Sequence, residues 1–81
     1  MHRGPFTATD IRKVCEGAGL QLKMKARTGE FMLFTDGDRE VPIDPGWREI
    51  YEGDPIFKCV ARDLRYDHDT LLQALNAARN S

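Results

Sequence analysis

The stretch that decides the fold is LQLKMKARTGEFMLFTDGDREVPI, which spans residues 20–43. At its start, Leu20, Leu22 and Met24 alternate with polar residues, and this period of two is typical of a half-buried strand. Residues 26–30 combine a glycine with charged side chains, so we expect them to turn the chain. The stretch therefore opens with a strand and a turn.

Two further strands follow within the same stretch. Phe31–Phe34 is apolar at every position, so this strand is apolar on both faces and we expect it to be the central one. Asp36–Asp38 contains the Asp-Gly pair of a tight hairpin turn. Arg39–Ile43 then forms the third strand. Because Pro42 cannot donate a ladder hydrogen bond, this strand either lies at an edge of the sheet or ends early.

Helical patterns flank these strands. Apolar residues recur at spacings of three and four over residues 8–18, 55–64 and 69–79, which predicts three amphipathic helices. The segment 44–54 begins with Asp-Pro-Gly and shows neither period, so we expect an irregular insertion there. The order α-β-β-β-(α)-α predicts one α+β domain over residues 1–81, with a three-stranded antiparallel sheet and helices packed on one face.

Composition narrows the class of protein. The chain has 81 residues, of which 41% are hydrophobic and 31% are charged, and its formal net charge is −1. No apolar run approaches the roughly 18 residues of a membrane span, and the first ten residues lack the apolar region of a secretory signal. We therefore expect a cytoplasmic protein with no membrane contact. The near-neutral charge disfavours a purely electrostatic nucleic-acid binder.

The sequence predicts neither a metal site nor a cofactor. Cys15 and Cys59 are far apart and have no cysteine or histidine at ligand spacing, so we expect two buried free thiols. The acidic residues of 36–44 lack the spacing of a calcium-binding loop. No phosphate-binding or dinucleotide-binding glycine motif is present.

Three segments of the chain share a pattern with a known family. GAGLQLKMKAR (residues 17–27) reads as a helix end, a glycine and a strand, and RTGEFMLFTDGDREVPI (residues 27–43) reads as two strands around a D-G turn. DTLLQALNAA (residues 69–78) reads as a closing helix that starts with Thr70 and Leu71. Together they resemble the HicA family of small toxins, whose fold is similar to the double-stranded-RNA-binding domain. The resemblance implies a ribonuclease paired with an antitoxin, or a double-stranded-RNA binder.

The catalytic position of that family is not matched. The family's ribonucleolytic histidine follows the glycine of the second strand, where this chain has GEFM at residues 29–32. General acid–base chemistry needs a group that titrates near the working pH, and Glu30 at an exposed turn is a poor substitute. His68 is the other candidate base, although its neighbours Asp67 and Asp69 are explained as helix caps. We expect no enzyme activity, with His68 and Glu30 as the alternative catalytic residues.

The outer face of the sheet is the predicted binding surface. Side chains alternate between faces, so either Phe31 and Leu33 or Met32 and Phe34 point away from the helices. Large apolar side chains on an uncovered face form an exposed patch, which typically marks a partner site or self-association. We expect Met32 and Phe34 to form this patch, unless the 44–54 insertion folds over them.

Other residues extend the predicted surface. Lys23, Lys25 and Arg27 lie at a spacing of two, which predicts a basic stripe on one face of the first strand, suited to phosphates or to an acidic protein surface. The alternative is an ordinary solvated face whose charges pair across the sheet. Trp47 and Tyr51, four residues apart, either anchor an interface or close the small core.

These patterns predict a small non-enzymatic binding module that docks on a macromolecule through its outer sheet face. A protein is the expected partner, RNA is the second choice, and a homodimer through the sheet face is a third. A small chain without a recognisable catalytic set is typical of a phage or mobile-element regulator that inhibits a host machine, of the anti-CRISPR type. The alternatives are the ribonuclease toxin and the double-stranded-RNA binder that the resemblance implies.

Overall fold

The fold is taken from a computed structural model, which describes residues 1–25 and 31–80. Within these residues it confirms the predicted α+β class, with three helices and a three-stranded antiparallel sheet in the predicted order. Each helix lies within one residue of its expected bounds. The elements are α1 (Ala8–Gly17), β1 (Gln21–Lys25), β2 (Met32–Thr35), β3 (Glu40–Ile43), α2 (Pro55–Leu64) and α3 (His68–Arg79).

The sheet has the strand order β1-β2-β3, so β1 and β3 are both edge strands. β2 and β3 form a hairpin in which Phe34 pairs with Val41 and Leu33 pairs with Pro42. Pro42 therefore lies on an edge strand, as predicted. Proline has no backbone N–H to donate to the sheet, and an edge strand tolerates this because one of its sides has no neighbouring strand.

The Arg39 side chain connects the β2–β3 turn to the ends of α1 and α2. The Asp36 carboxylate accepts hydrogen bonds from the backbone N–H groups of Arg39 and Asp38, at 2.7 and 2.9 Å; these bonds and the Arg39 guanidinium lower the pKa of Asp36. The guanidinium also donates to the carbonyl oxygens of Ala18 at 3.1 Å and Leu64 at 3.3 Å, at the C-terminal ends of α1 and α2. Because such carbonyls have no partner inside their own helix, Arg39 satisfies them and fixes the hairpin to both helices.

The core lies between one face of the sheet and the helices. Phe34, Val41 and Ile43 of the sheet point into it and are each at most 2% exposed. α1 and α2 pack against β3, and α3 packs against α1 and α2. The buried apolar helix residues are Ala8, Ile11, Val14 and Cys15 of α1, Phe57, Val60, Ala61 and Leu64 of α2, and Leu71, Leu72 and Leu75 of α3.

Short-range capping explains where two of the helices begin. At α1, the Asp10 carboxylate accepts a hydrogen bond from the Thr7 backbone N–H at 2.9 Å, and the Thr7 hydroxyl accepts from the Asp10 backbone N–H, which is a capping box. At α3, the Asp67 carboxylate accepts from a first-turn backbone N–H at 2.7 Å. Asp54 is the N-cap residue of α2, but its carboxylate accepts from the backbone N–H of Tyr51. The side chain therefore closes the turn before α2 and makes no capping hydrogen bond to that helix.

The 44–54 insertion contains a piece of regular pairing. Phe6 and Ile50 form an antiparallel bridge, with the Phe6 N–H donating to the Ile50 carbonyl at 2.7 Å and the Ile50 N–H donating to the Phe6 carbonyl at 3.0 Å. Both side chains are buried in the core. Nearby, Gly4 has φ +127°, and a Cβ at this position would lie 2.9 Å from the Ile50 carbonyl oxygen. Only glycine fits so close to the insertion. The close contact at Gly4 joins the N-terminal segment to the insertion.

Candidate binding surface

The two residues predicted to form the outer patch point toward the helices. Phe34 lies in the core, and Met32 is partly buried and packs against the same core. Their partners in β3, Val41 and Ile43, are also buried, and directly paired residues share a face of the sheet. The placement of Met32 and Phe34 on the outer face is therefore wrong, because the hairpin register pairs both with inward-facing residues.

A different set of apolar residues occupies the outer face. Leu33 pairs with Met24 of β1 and with Pro42 of β3, so the three form a row across the whole sheet. Phe31 immediately precedes β2 and lines the same groove as Pro42. Met24 is 50% exposed, Phe31 is 38% exposed and Pro42 is exposed. We call Met24, Phe31, Leu33 and Pro42 the outer-face patch.

A polar row borders the outer-face patch. Gln21 pairs with Thr35, and Thr35 pairs with Glu40. Thr35 lies two residues after Leu33, so this row faces the same side. An apolar centre beside a polar rim is the usual anatomy of a protein interface. Met24, Phe31 and Pro42 are exposed and Leu33 is partly exposed, so the 44–54 insertion leaves most of the patch uncovered.

A register shift in β1 separates two residues that the sequence places on one face. The shift falls between Leu22, which pairs with the buried Phe34, and Met24, which pairs with the outward Leu33. A bulge of this kind interrupts the alternation of side chains, so Leu22 and Met24 lie on opposite faces. Each is 50% exposed, which leaves β1 with accessible apolar groups on both sides.

The predicted basic stripe is described only in part. Lys23 is exposed and lies at the register shift; Lys25 is described through its backbone pairing alone, and Arg27 lies outside the described residues. The shift breaks the period of two on which a single basic face depends. Two acidic residues of the hairpin, Asp36 and Asp38, pair with arginines and not with Lys23.

Trp47 and Tyr51 lie in different environments. Trp47 is partly buried and packs against the core, whereas Tyr51 is 48% exposed. Ile50, between them, pairs with Phe6 in an extended bridge. Because the segment is extended here, a spacing of four does not place the two aromatic rings on one helical face.

An open groove continues from the outer-face patch across the β3 edge toward α2. Its volume is about 570 Å³, and two patch residues, Phe31 and Pro42, contribute to its lining. We call it the α2 groove. Its charged lining residues are Asp44, Arg62 and Asp63, and the others are Trp47, Pro55, Ile56, Cys59 and Val60.

The two cysteines differ in exposure. Cys15 is buried, and burial raises the pKa of its thiol to about 12. Cys59 is exposed and lines the α2 groove. Both thiols are free. The expectation of two buried free thiols is therefore correct for Cys15 and wrong for Cys59, which lies on the outward side of α2 next to the buried Val60.

His68, an alternative catalytic candidate, contacts a residue that the sequence did not single out. Its Nε2 lies 2.9 Å from Oε2 of Glu52, and its ring packs on Phe57 with centroids 5.0 Å apart. Arg3 pairs with the other oxygen of the same carboxylate, and the contacts with Arg3 and His68 lower the pKa of Glu52. A carboxylate that orients an imidazole is a known element of acid–base sites. Glu30, the other candidate, lies outside the described residues.

The sequence signals that could have identified Leu33, Pro42 and Glu52 differ. The outward placement of Leu33 and Pro42 could have been predicted from the hairpin. The Asp-Gly turn aligns β2 with β3, and the apolar residues Val41 and Ile43 alternate along β3 and must point inward. Leu33 and Pro42 therefore point outward. Glu52 has no comparable signal. It precedes its partner by 16 positions, and its segment has neither helical nor strand periodicity.

Among the described residues, no group of three or more His, Cys, Asp or Glu side chains could hold a metal ion. In the same part of the chain, no helix combines the length and hydrophobicity required to cross a membrane. Comparison of the chain with models of protein families, with curated proteins and with solved structures finds no match.

Proposed function

We propose that this protein is a non-enzymatic binding module that docks on a protein partner through its outer-face patch. The observation that carries the proposal is the apolar row Met24, Leu33 and Pro42, which extends across all three strands and has exposed members at both edges. Contiguous apolar surface on a small folded chain typically marks an interaction site. The adjoining polar row supplies the rim that such sites use.

The chemistry of this face favours a protein over a nucleic acid. Binding to phosphates requires a concentration of Lys and Arg, whereas the paired residues of the outer face are apolar, or are Gln21, Thr35 and Glu40. The net charge of −1 also gives no general attraction to RNA. A protein surface with a complementary apolar area fits this face better.

The proposal extends to a functional class. A chain whose described residues expose an apolar row on one face of a sheet suits a protein that acts by covering a surface of a larger machine. A phage or mobile-element inhibitor of a host machine, of the anti-CRISPR type, is the form of this class that we propose.

Affinity capture with matched variants tests the proposal. The tagged parent chain, Leu33→Asp and Glu40→Gln are each used as bait in lysate from the source cells, and the bound proteins are identified by mass spectrometry. Leu33→Asp places a charge at the centre of the outer-face patch, whereas Glu40→Gln alters only the rim. We expect one partner that the parent and Glu40→Gln retain and Leu33→Asp loses. A partner retained by all three folded proteins contradicts the proposed surface.

Two further measurements separate the remaining partners. Sedimentation velocity tests whether the patch instead joins two copies of this chain, since a homodimer through this face dissociates in Leu33→Asp.

Gel-shift assays with double-stranded RNA test the basic-stripe mechanism, which requires affinity to fall as salt rises. RNA binding that is independent of the outer-face patch and that salt weakens supports the RNA binder over the protein-binding module.

RNA cleavage is the second candidate function, and the contact between His68 and Glu52 favours it. The 2.9 Å contact places a carboxylate beside the imidazole, and a general base uses a partner of this kind. The test compares RNA cleavage by the parent, His68→Ala and Glu52→Gln. Cleavage by the parent that both variants lose supports the ribonuclease, and an inactive parent eliminates it.

A further inference from the structure

We infer that the α2 groove receives a basic-apolar segment of the protein partner, in which a lysine or arginine stands next to an apolar residue. The inference rests on the proposed function and adds the chemistry of the segment that the partner presents. Three features of the groove carry it: its size and lining, the charge at its rim, and its continuity with the outer-face patch.

The size and lining of the groove suit side chains of a polypeptide. Its volume of about 570 Å³ falls within the roughly 300–1,000 Å³ of typical ligand sites. Trp47, Ile56 and Val60 line it, and all three pack in or against the hydrophobic core, so this part of the lining is firmly held. The groove is open to solvent, which suits a segment that lies across it.

The rim of the groove is acidic. Asp44 and Asp63 carry two negative charges and Arg62 carries one positive charge, which leaves a formal charge of −1 on the lining. The Arg62 Nε lies 3.6 Å from the Asp63 carboxylate, and the Arg62 side chain is 76% exposed. An exposed ion pair with this geometry contributes little, so an incoming cation displaces Arg62 at small cost.

A lysine or arginine combines the two properties that this lining matches. Its aliphatic stem packs on apolar surface while its charged end stays at the polar rim. Trp47 and Phe31 also line the groove, and aromatic faces attract cations. An acidic segment or a phosphate chain meets the two carboxylates instead, and it is repelled by them.

The groove and the outer-face patch form one continuous surface. Phe31 and Pro42 belong to both, so a partner that lies on the sheet face reaches the groove without crossing a polar gap. This continuity distinguishes the α2 groove from an isolated hollow, and it places the basic residue of the partner beside the edge of the docked surface.

Selection from a random peptide library tests the inference even while the partner is unidentified. The library is selected on the immobilised full chain and on two double variants. Asp44→Asn with Asp63→Asn removes both negative rim charges, and Glu16→Gln with Glu49→Gln removes two exposed carboxylates outside both the groove and the outer-face patch. We expect enrichment of peptides with Lys or Arg next to an apolar residue. These peptides should bind the control with parental affinity and the groove variant about tenfold more weakly.

Cys59 supplies a direct readout of groove occupancy. Its thiol is exposed in the groove, whereas Cys15 is buried and has its pKa raised to about 12, so a bulky maleimide reacts at Cys59 first. A selected peptide that occupies the groove slows this reaction, and a maleimide already attached to Cys59 blocks peptide binding. Cys59→Ser should lose the rapid labelling, which identifies Cys59 as the site of reaction.

The outcomes are decisive and separate from those of the proposed function. Enriched peptides that are acidic, purely apolar or indifferent to the groove variant overturn the inference, as does a selection that enriches nothing. Self-association lost in Asp44→Asn with Asp63→Asn identifies a second copy as the occupant, which also overturns it. If the captured partner is lost with Leu33→Asp but retained by the groove variant, the proposed function stands and this inference falls.

Discussion

Leu33 and Phe34 are neighbours in β2, yet they face opposite sides of the sheet. Phe34 pairs with the buried Val41 and lies in the core. Leu33 pairs with Met24 and Pro42 and belongs to the outer-face patch. The same kind of side chain therefore serves two purposes, separated by one step of the strand.

The difference shows how a three-stranded sheet divides its apolar residues. On the helix side, burial of apolar area stabilises the fold, and α1 and α2 cover that side at β3. On the outer side no described helix covers the row, so its apolar area is free to stabilise a complex. Stability and binding should accordingly respond to different residues of the same strand.

Phe34→Ala should produce the largest effect on the helix side. The substitution leaves a cavity beside Val41 and Ile43, and large-to-small changes of this type lower the free energy of unfolding by about 3–5 kcal/mol. Urea denaturation followed by circular dichroism measures the change. Phe34→Leu is the matched control and should cost clearly less, because it keeps most of the side-chain volume. A small loss for Phe34→Ala breaks the comparison, since it means that this face is not the core.

Gly4→Ala tests whether the N-terminal segment closes the core on the helix side of the sheet. With φ +127° and a Cβ placed 2.9 Å from the Ile50 carbonyl oxygen, alanine strains the backbone and displaces the bridge that holds Phe6 in the core. We expect a loss of about 1–3 kcal/mol in the free energy of unfolding.

The control for this substitution is Gly17→Ala, at the end of α1. A Cβ there meets no atom within 4 Å, and alanine is the better helix former by about 1 kcal/mol. Gly17→Ala should therefore leave stability unchanged or raise it. Equal losses in both variants indicate a general intolerance of alanine and not a specific close approach at Gly4.

Lowering the pH should reduce the free energy of unfolding, because three carboxylates in turns and at a helix start have lowered pKa values. Backbone N–H groups and Arg39 lower the pKa of Asp36, Arg3 and His68 lower the pKa of Glu52, and the Thr70 cap lowers the pKa of Asp67. Because each folded pKa lies below its unfolded value, this stabilisation is complete above the unfolded values near 4. It is lost as the pH falls from there through the folded values.

Urea titrations at pH 5 and pH 3 measure this loss. We expect a lower urea midpoint at pH 3 and a weaker pH dependence in Asp36→Asn, which removes one of the three carboxylates. A midpoint that rises toward pH 3 contradicts the direction of all three pKa changes. Asp36 is the most informative site, because its partner Arg39 also bonds the ends of α1 and α2.

The sequence contained enough information for the elements and for part of the surface. Periods of two and of three to four located the strands and helices, because local periodicity records which side of an element is buried. β2 is the exception. With four apolar residues in Phe31–Phe34, its own pattern cannot say which side faces inward. The answer lies in β3, where Val41 and Ile43 are the apolar members, so only the register of the hairpin decides the face.

Other parts of the surface could not be predicted. The register shift between Leu22 and Met24 leaves the sequence period intact while it moves a side chain to the other face. The contact between Glu52 and His68 and the α2 groove both arise where distant segments meet. Such tertiary juxtapositions leave no periodic signal, since each segment satisfies its own local pattern without reference to the other.

Leu33→Thr should have the smallest effect on stability, and it gives the sharpest form of the comparison. Threonine keeps the strand propensity of the position, and the outward side chain leaves no cavity in the core, so the free energy of unfolding should change by less than about 1 kcal/mol. Binding of the captured partner should nevertheless weaken, because the centre of the apolar row is lost. Urea denaturation and titration of the purified partner measure the two quantities. A large stability loss with unchanged binding would reverse the roles assigned to the two faces, and Phe34→Ala, measured in parallel, sets the scale for what counts as large.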